Sequence, residues 1–390
     1  MKVRRLALKN WMNFRNLDPV DLGDRVFVIG PNASGKSNFL DALRFLRDIA
    51  RPSGVKPSGG GLQKAVNDRG QLSRLRCLNA RKNPEVFIEA ELEATPDEPH
   101  WIYRVGFKGE GKANNRVTIT REEVHYGNKE ILKRPDEDDA KDPDRLTQSY
   151  LEQINANSEF RTIVHFFSEI TYLHLVPQLL KFGDIIGGNV LEQDPFGQGF
   201  LQRIAAAGEK TRNARLRRIQ NALEKVVPQF KELRFKRDEI SGTPHIEANF
   251  AHWRPTGAWQ RENQFSDGTL RLIGLLWALM EGSSLLLLEE PELSLNEEIV
   301  EHLPGLIRQV QKQSKNQRQI IITTHSESLL SDPSVGSEAV VRFQPTQEGT
   351  QILPPSEQEE IMLKSGLPVG QVLLPATRPQ AADQLEFSLQ

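Results

Sequence analysis

Gly30-Pro31-Asn32-Ala33-Ser34-Gly35-Lys36-Ser37 spells G-x-x-x-x-G-K-S, flanked by the apolar run Val26-Phe27-Val28-Ile29 and a helical pattern opening at Asn38-Phe39-Leu40. No other feature constrains the fold as strongly, because strand, glycine loop and helix in that order build a cradle for phosphate. The glycines permit a tight turn that aims backbone N–H groups inward, and the helix N-terminus adds positive potential. Asn32, Ala33, Ser34, Gly35, Lys36, Ser37 and Asn38 are thus the candidate nucleotide-binding residues. Lys36 brings a point charge to the β and γ phosphates, and the Ser37 hydroxyl is placed to ligate magnesium.

Three further elements follow in order. Leu285-Leu286-Leu287-Leu288 runs into Glu289-Glu290-Pro291-Glu292. Four consecutive leucines suit a strand covered on both faces, and carboxylates at its C-terminal edge meet the place where open α/β sheets bind ligands. Glu289 is assigned to the metal and Glu290 to the attacking water, as general base. A second β-branched run, Ile320-Ile321-Ile322-Thr323-Thr324, ends at His325, which is placed to meet a γ-phosphate or orient water. Finally, Gln264-Phe265-Ser266-Asp267-Gly268-Thr269 opens an apolar helix over residues 270–280. A serine cap with free N–H groups makes a second anion-facing device, at Ser266 and Gly268.

This combination resembles the ABC-type ATPase heads of the SMC, Rad50, RecF and OLD group, most of all stand-alone ATPases of the AAA15/AAA21 type. The resemblance implies an α/β P-loop NTPase of ABC-head type, with a mixed core sheet, an antiparallel β lobe and a helical lobe. It implies ATP and Mg2+ as cofactors, and a homodimer in which each nucleotide is sandwiched between one loop and the other protomer's Ser266 and Gly268. Hydrolysis would make the chain a molecular switch acting on a separate effector, in antiphage defence. A RecF-like role in DNA repair and a weakly hydrolysing nucleotide sensor are the alternatives. In such heads a glutamine after the returning strand contacts magnesium; Gln178 fills that position better than Gln63 or Gln71. Arg15 falls where related heads place residues beside the nucleotide. The first acidic residue of the pair is Glu289 where most ABC proteins have Asp, and Leu295-Asn296-Glu297 stands where a Leu-His-Pro turn is common.

The motif order divides the chain into an N-terminal half of the core (1–84), an antiparallel β lobe (85–135), a helical lobe with a core strand near 170–176 (136–240), a C-terminal half of the core (241–345) and an extension with a flexible tail (346–390). Residues 38–49 and 144–168 read as helices and Asp136-Glu137-Asp138-Asp139 as a solvated loop. No heptad array separates the halves. Fewer than seventy residues follow His325, about half of what a metal-binding nuclease domain would need. A net charge of −2 and a pI near 6.5 give no global footprint for nucleic acid. Two basic clusters, Lys210 to Arg218 and Arg74 to Lys82, suit either a solvated or partner-facing surface or nucleic-acid phosphates. One cysteine, no signal-peptide pattern and no membrane-length apolar run lead us to expect a cytoplasmic chain without membrane contact.

Overall fold

The computed structural model describes residues 1–52, 59–80, 84–110, 116–186, 194–251, 258–313 and 317–378. The strands are β1 (Lys2–Trp11), β2 (Phe14–Asp21), β3 (Arg25–Ile29), β4 (Val86–Glu93), β5 (Trp101–Gly109), β6 (Val117–Tyr126), β7 (Lys129–Arg134), β8 (Thr171–Leu173), β9 (Phe230–Arg237), β10 (Pro244–Phe250), β11 (Ala258–Arg261), β12 (Leu286–Glu289), β13 (Ile320–Thr323), β14 (Val340–Thr346) and β15 (Gly349–Ile352). They form a core sheet, β15-β14-β3-β13-β12-β8, an antiparallel sheet, β2-β1-β4-β5-β6-β7, and a small sheet, β11-β10-β9. In the core sheet β14, β3, β13, β12 and β8 run parallel, and β15 closes one edge antiparallel.

The apolar runs read from the sequence become the centre of this sheet because side chains alternate between its faces. Leu285 and Leu287 enter a core shared with the antiparallel sheet and the loop helix (Lys36–Ala50). Leu286 and Leu288 enter a second core under the signature helix (Asp267–Met280) and the helix Glu297–Gln313. Val26 and Val28 face the first core, Phe27 and Ile29 the second. The sheet is therefore a rigid middle layer, and the C-terminal ends of β3, β12 and β13 open on one edge.

Two expectations are corrected. Asp136-Glu137-Asp138-Asp139 is not a solvated loop: Asp136 and Asp139 form a capping box, and Asp139 is buried against Arg134. Helix within 144–168 is confined to short 3-10 turns and Arg161–Ser168. The Glu122 carboxylate accepts from the Tyr150 N–H and the Ser149 hydroxyl, holding that stretch in a turn. Strand β2, with Pro19 in it, went unread. Residues 81–83, including Arg81 and Lys82, and most of the expected tail lie outside the described residues. Among the described residues, no helix is long and apolar enough to cross a membrane.

Candidate nucleotide site

The loop following β3 is braced from outside. Gly35 has φ 93°, and a Cβ there would lie 2.1 Å from Asn13 Nδ2, so only glycine fits both the turn and the approach. Asn13 Nδ2 donates to the Ser34 carbonyl at 3.0 Å, Asn38 Nδ2 donates to Asn13 Oδ1 at 2.8 Å, and Thr350 Oγ1 donates to the Ser34 carbonyl at 2.9 Å. These bonds fix the carbonyl side of the loop from segments far apart in sequence, the β1–β2 turn and β15. Lys36 is buried at the base, donating to the carbonyls of Gly30 and Pro31 at 3.0 and 3.1 Å. Burial pushes its pKa down, while the carboxylates of Glu290, Glu289 and Glu292 act against that.

Sheet register then assembles the acidic edge. Parallel pairing sets Glu289 beside Thr323, and Thr323 beside Val28 of the loop strand. Ser37, 252 residues from Glu289 in sequence, donates its hydroxyl proton to Glu289 Oε1 at 2.5 Å. The Tyr172 hydroxyl donates to the other oxygen of Glu289, and the Arg44 guanidinium stacks on the Tyr172 ring. Burial beside Glu289 pushes the Tyr172 phenol pKa up, so it stays a donor. Glu290 follows with φ 44°, a left-handed conformation that costs a non-glycine residue about 1–3 kcal/mol. Its Oε1 lies 3.5 Å from His325 Nε2. Burial, and then the Lys36 charge, push the His325 pKa down, keeping the imidazole neutral near pH 7.

Beneath them, Thr324 Oγ1 donates to Glu292 Oε1 at 2.6 Å and the His325 N–H donates to the same oxygen at 3.3 Å. Burial pushes the Glu292 pKa up, and its Oε2 has no partner among the described residues. Ser37 and Glu289 are hard oxygen donors already in contact, the set that suits magnesium completed by phosphate and water. A cleft of about 620 Å³ adjoins the loop, lined by Asn13, Ala33, Asn38, Arg76, Leu78 and Thr350.

The signature turn is a separate place. Ser266 caps its helix, accepting from the Thr269 N–H at 3.1 Å. A Cβ on Gly268 would lie 2.6 Å from the Ser294 carbonyl, so the turn is pressed onto the segment after Glu292. Ser266 and Gly268 border a different, open cleft of 480 Å³ with Asn296 and Leu295. Gln178 donates to Asp267 Oδ2 at 3.1 Å, beside Lys181 at 2.5 Å from Oδ1; its contact is with the signature turn and not with Glu289. Arg15 pairs with Glu348, and Asn13 is the residue of that stretch that touches the loop. Tyr172, Thr350 and Glu292 escaped the sequence reading. Tyr172 left a signal only as a residue of the expected returning strand near 170–176, and Glu292 only as a member of the acidic run after the leucines, without a role.

The family described as "AAA domain, putative AbiEii toxin, Type IV TA system" matches residues 25–331, well over half of the chain. The chain belongs to this AAA-domain family. A second description, "P-loop containing region of AAA domain", matches residues 3–46. No curated protein matches the chain significantly. Among solved structures, an Smc head bound to the C-winged helix domain of ScpA is 16% identical, with TM-score 0.52, over 92% of this chain and 100% of that one. An Smc head with an extended coiled coil, bound to the C-terminal domain of ScpA derived from Pyrococcus furiosus, is 15% identical, with TM-score 0.51, over 93% and 98%. The SMC head domain from Thermotoga maritima is 18% identical, with TM-score 0.47, over 91% and 100%. The AAA-domain chain thus has the ABC-type head fold of the SMC class.

Proposed function

We propose that this AAA-domain protein binds and hydrolyses ATP, and that ATP closes two copies of it into a dimer that controls a separate effector in antiphage defence. The observation carrying the hydrolytic part is the meeting of Ser37 with Glu289, next to the Glu290–His325 pair, at one sheet edge. Phosphates would lie along the N–H groups of residues 32–38 with Lys36 at the β and γ positions, and the 620 Å³ cleft would receive base and sugar. Ser37 and Glu289 would hold magnesium, which supplies charge neutralisation at the phosphates. Glu290 takes a proton from, or orients, the attacking water, and neutral His325, with Nε2 3.5 Å from Glu290, offers its one N–H to the γ-phosphate or to that water.

Ser266 and Gly268 line a cleft apart from the loop, which supports their acting on the nucleotide of a second protomer. Binding energy released at that junction favours the closed dimer, and hydrolysis removes it. Gln178, bonded to Asp267, links the segment after β8 to the signature turn. The family description names a putative toxin, which supports a role in defence.

Complementation tests the two-protomer site. Lys36→Ala should bind no ATP, and Ser266→Arg should bind ATP without dimerising or hydrolysing it. Mixed, they build one intact site, from the loop of Ser266→Arg and the signature of Lys36→Ala. Turnover should reappear in the mixture; a mixture as inactive as its parts contradicts the shared site.

A further inference from the structure

The helix Glu209–Val226 carries six cations, Lys210, Arg212, Arg215, Arg217, Arg218 and Lys225, against two carboxylates, Glu209 and Glu224. Its apolar residues Leu216, Ile219 and Leu223 are buried. At 100° per residue, Lys210, Arg217, Arg218 and Lys225 fall on the opposite face, and all four are exposed. Among the described residues these four join no ion pair. In the β lobe, by contrast, Arg104 and Arg116 are each paired with carboxylates.

One flank of this helix borders a groove of 470 Å³ shared with the signature helix and the helix Glu297–Gln313. Its floor is aliphatic, with Ile219, Leu272, Leu276, Ile299, Leu306 and Val310. Arg218, Lys225 and His302 stand around it. An apolar trough between helices with a cationic rim matches an amphipathic helix that is apolar on one face and acidic beside it. The same cations would also attract nucleic-acid phosphates, but a nucleic acid would leave the aliphatic floor wet. The neighbouring rings are already covered: Arg212 lies over Phe235, Arg215 over Trp277 and Arg234 over Trp259, at 4.2, 5.0 and 3.5 Å. Each ring thus has an arginine over one face, and Trp277 is fully buried, which leaves little for bases to stack on.

We infer that this groove is the docking site for an acidic amphipathic helix of a partner protein, seated on the part-buried Ile299, Leu306 and Val310 over a buried floor that includes Leu272 and Leu276 of the signature helix, and clamped by Arg218 and Lys225. Leu272 also lines the cleft at Ser266, so the docked helix lies along the helix whose first turn would engage the second protomer. The docking rests on the groove alone; only its communication with head closure rests on the switch proposed above.

The test uses the full chain without nucleotide, so that a failed ATPase reading leaves it intact. A displayed library of helical peptides, with Leu, Ile or Phe fixed at i, i+3, i+4 and i+7 and Glu, Lys or Gln elsewhere, is selected on the protein. Selected peptides are then measured by fluorescence anisotropy beside a 20-base-pair duplex. We expect Glu-rich sequences to be enriched. Their affinity should fall at least tenfold in Arg218→Glu/Lys225→Glu, on the rim, and in Leu306→Asp, on the part-buried wall, none of them among the nucleotide-binding residues, with circular dichroism confirming the fold. Enrichment of Lys-rich or uncharged peptides, no enrichment, or binding indifferent to both variants overturns the proposal. So does a duplex that binds and is weakened by the charge reversal but not by Leu306→Asp, which would make this face a nucleic-acid surface.

Discussion

Charged residues are held in two opposite ways in this molecule. In the β lobe, Arg134 is fully buried with Glu122 and Asp139, at 2.9 and 2.8 Å. Every part of that cluster is engaged by protein. Arg134 also donates to the carbonyls of Gln148 and Arg145, and Glu122 takes the Tyr103 and Ser149 hydroxyls. At the open edge of the core sheet, Glu289 and Glu290 are only part-buried. Glu290 sits in a strained backbone conformation, and Glu292 keeps a buried oxygen without a partner among the described residues. The contrast separates charge that fixes a turn from charge kept ready for a ligand. Saturated geometry belongs to the first, and strain with incomplete bonding to the second.

The comparison can be broken at either end. Arg134→Met would leave Glu122 buried without a cation and Asp139 with only Arg145 at 3.6 Å, a loss of about 3–5 kcal/mol for a broken buried pair. Urea denaturation should show it, while the folded fraction keeps its ATP affinity; an unchanged midpoint would mean the cluster is not what holds the lobe. Lys36→Ala should do the reverse. Calorimetric ATP binding should vanish with little loss of stability, because a partly desolvated charge is removed with it. Persisting affinity in the folded variant would refute the loop assignment.

Smaller changes sharpen the contrast. Tyr172→Phe removes one donor from Glu289, worth about 1 kcal/mol. The nucleotide-dependent affinity for magnesium should weaken several-fold without a change in the thermal midpoint; an equal fall in stability alone would make Tyr172 structural. The smallest effect concerns the C-terminal extension, where the Arg342 hydrogen bond pulls the Glu359 carboxyl down to about 2. A depressed folded-state pKa gives stability that is complete above the ordinary value of 4.5 and is lost as pH falls toward 2. Thermal midpoints measured across that window should drop for the parent and less steeply for Glu359→Gln.

The loop, the acidic strand, the histidine strand and the signature helix were legible because each couples a short motif to a buried apolar run. The continuous apolar run alone places Leu285 to Leu288 at the centre of a covered sheet. Thr350 and Asn13 were not legible as loop braces, since their partner is the Ser34 carbonyl and any hydrogen-bonding side chain brought there by the fold could serve. The acidic run 136–139 misled for a related reason: charge predicts solvent unless a buried arginine stands ready, and Arg134 gives no local sign that it is buried. Gln178 followed its expected place after the returning strand, yet the kink at Phe182 in its helix and the Lys181–Asp267 pair turn that region toward the signature. The basic helix was visible as composition, but only the packed structure shows that one flank of it overlooks an apolar groove.

The central claim is that Glu290 is the base whose action opens an ATP-closed dimer. Glu290→Gln keeps the shape and hydrogen-bonding capacity of the side chain but removes the carboxylate. Ser37 and Glu289 remain, so ATP should still bind and still close the dimer, while turnover falls by roughly two to four orders of magnitude, the usual contribution of a positioned base. Light scattering with ATP and magnesium, read beside phosphate release, measures both at once. The account predicts more dimer for Glu290→Gln than for the parent, with almost no phosphate; parental turnover, or slow turnover with no dimer because ATP no longer binds, would contradict it.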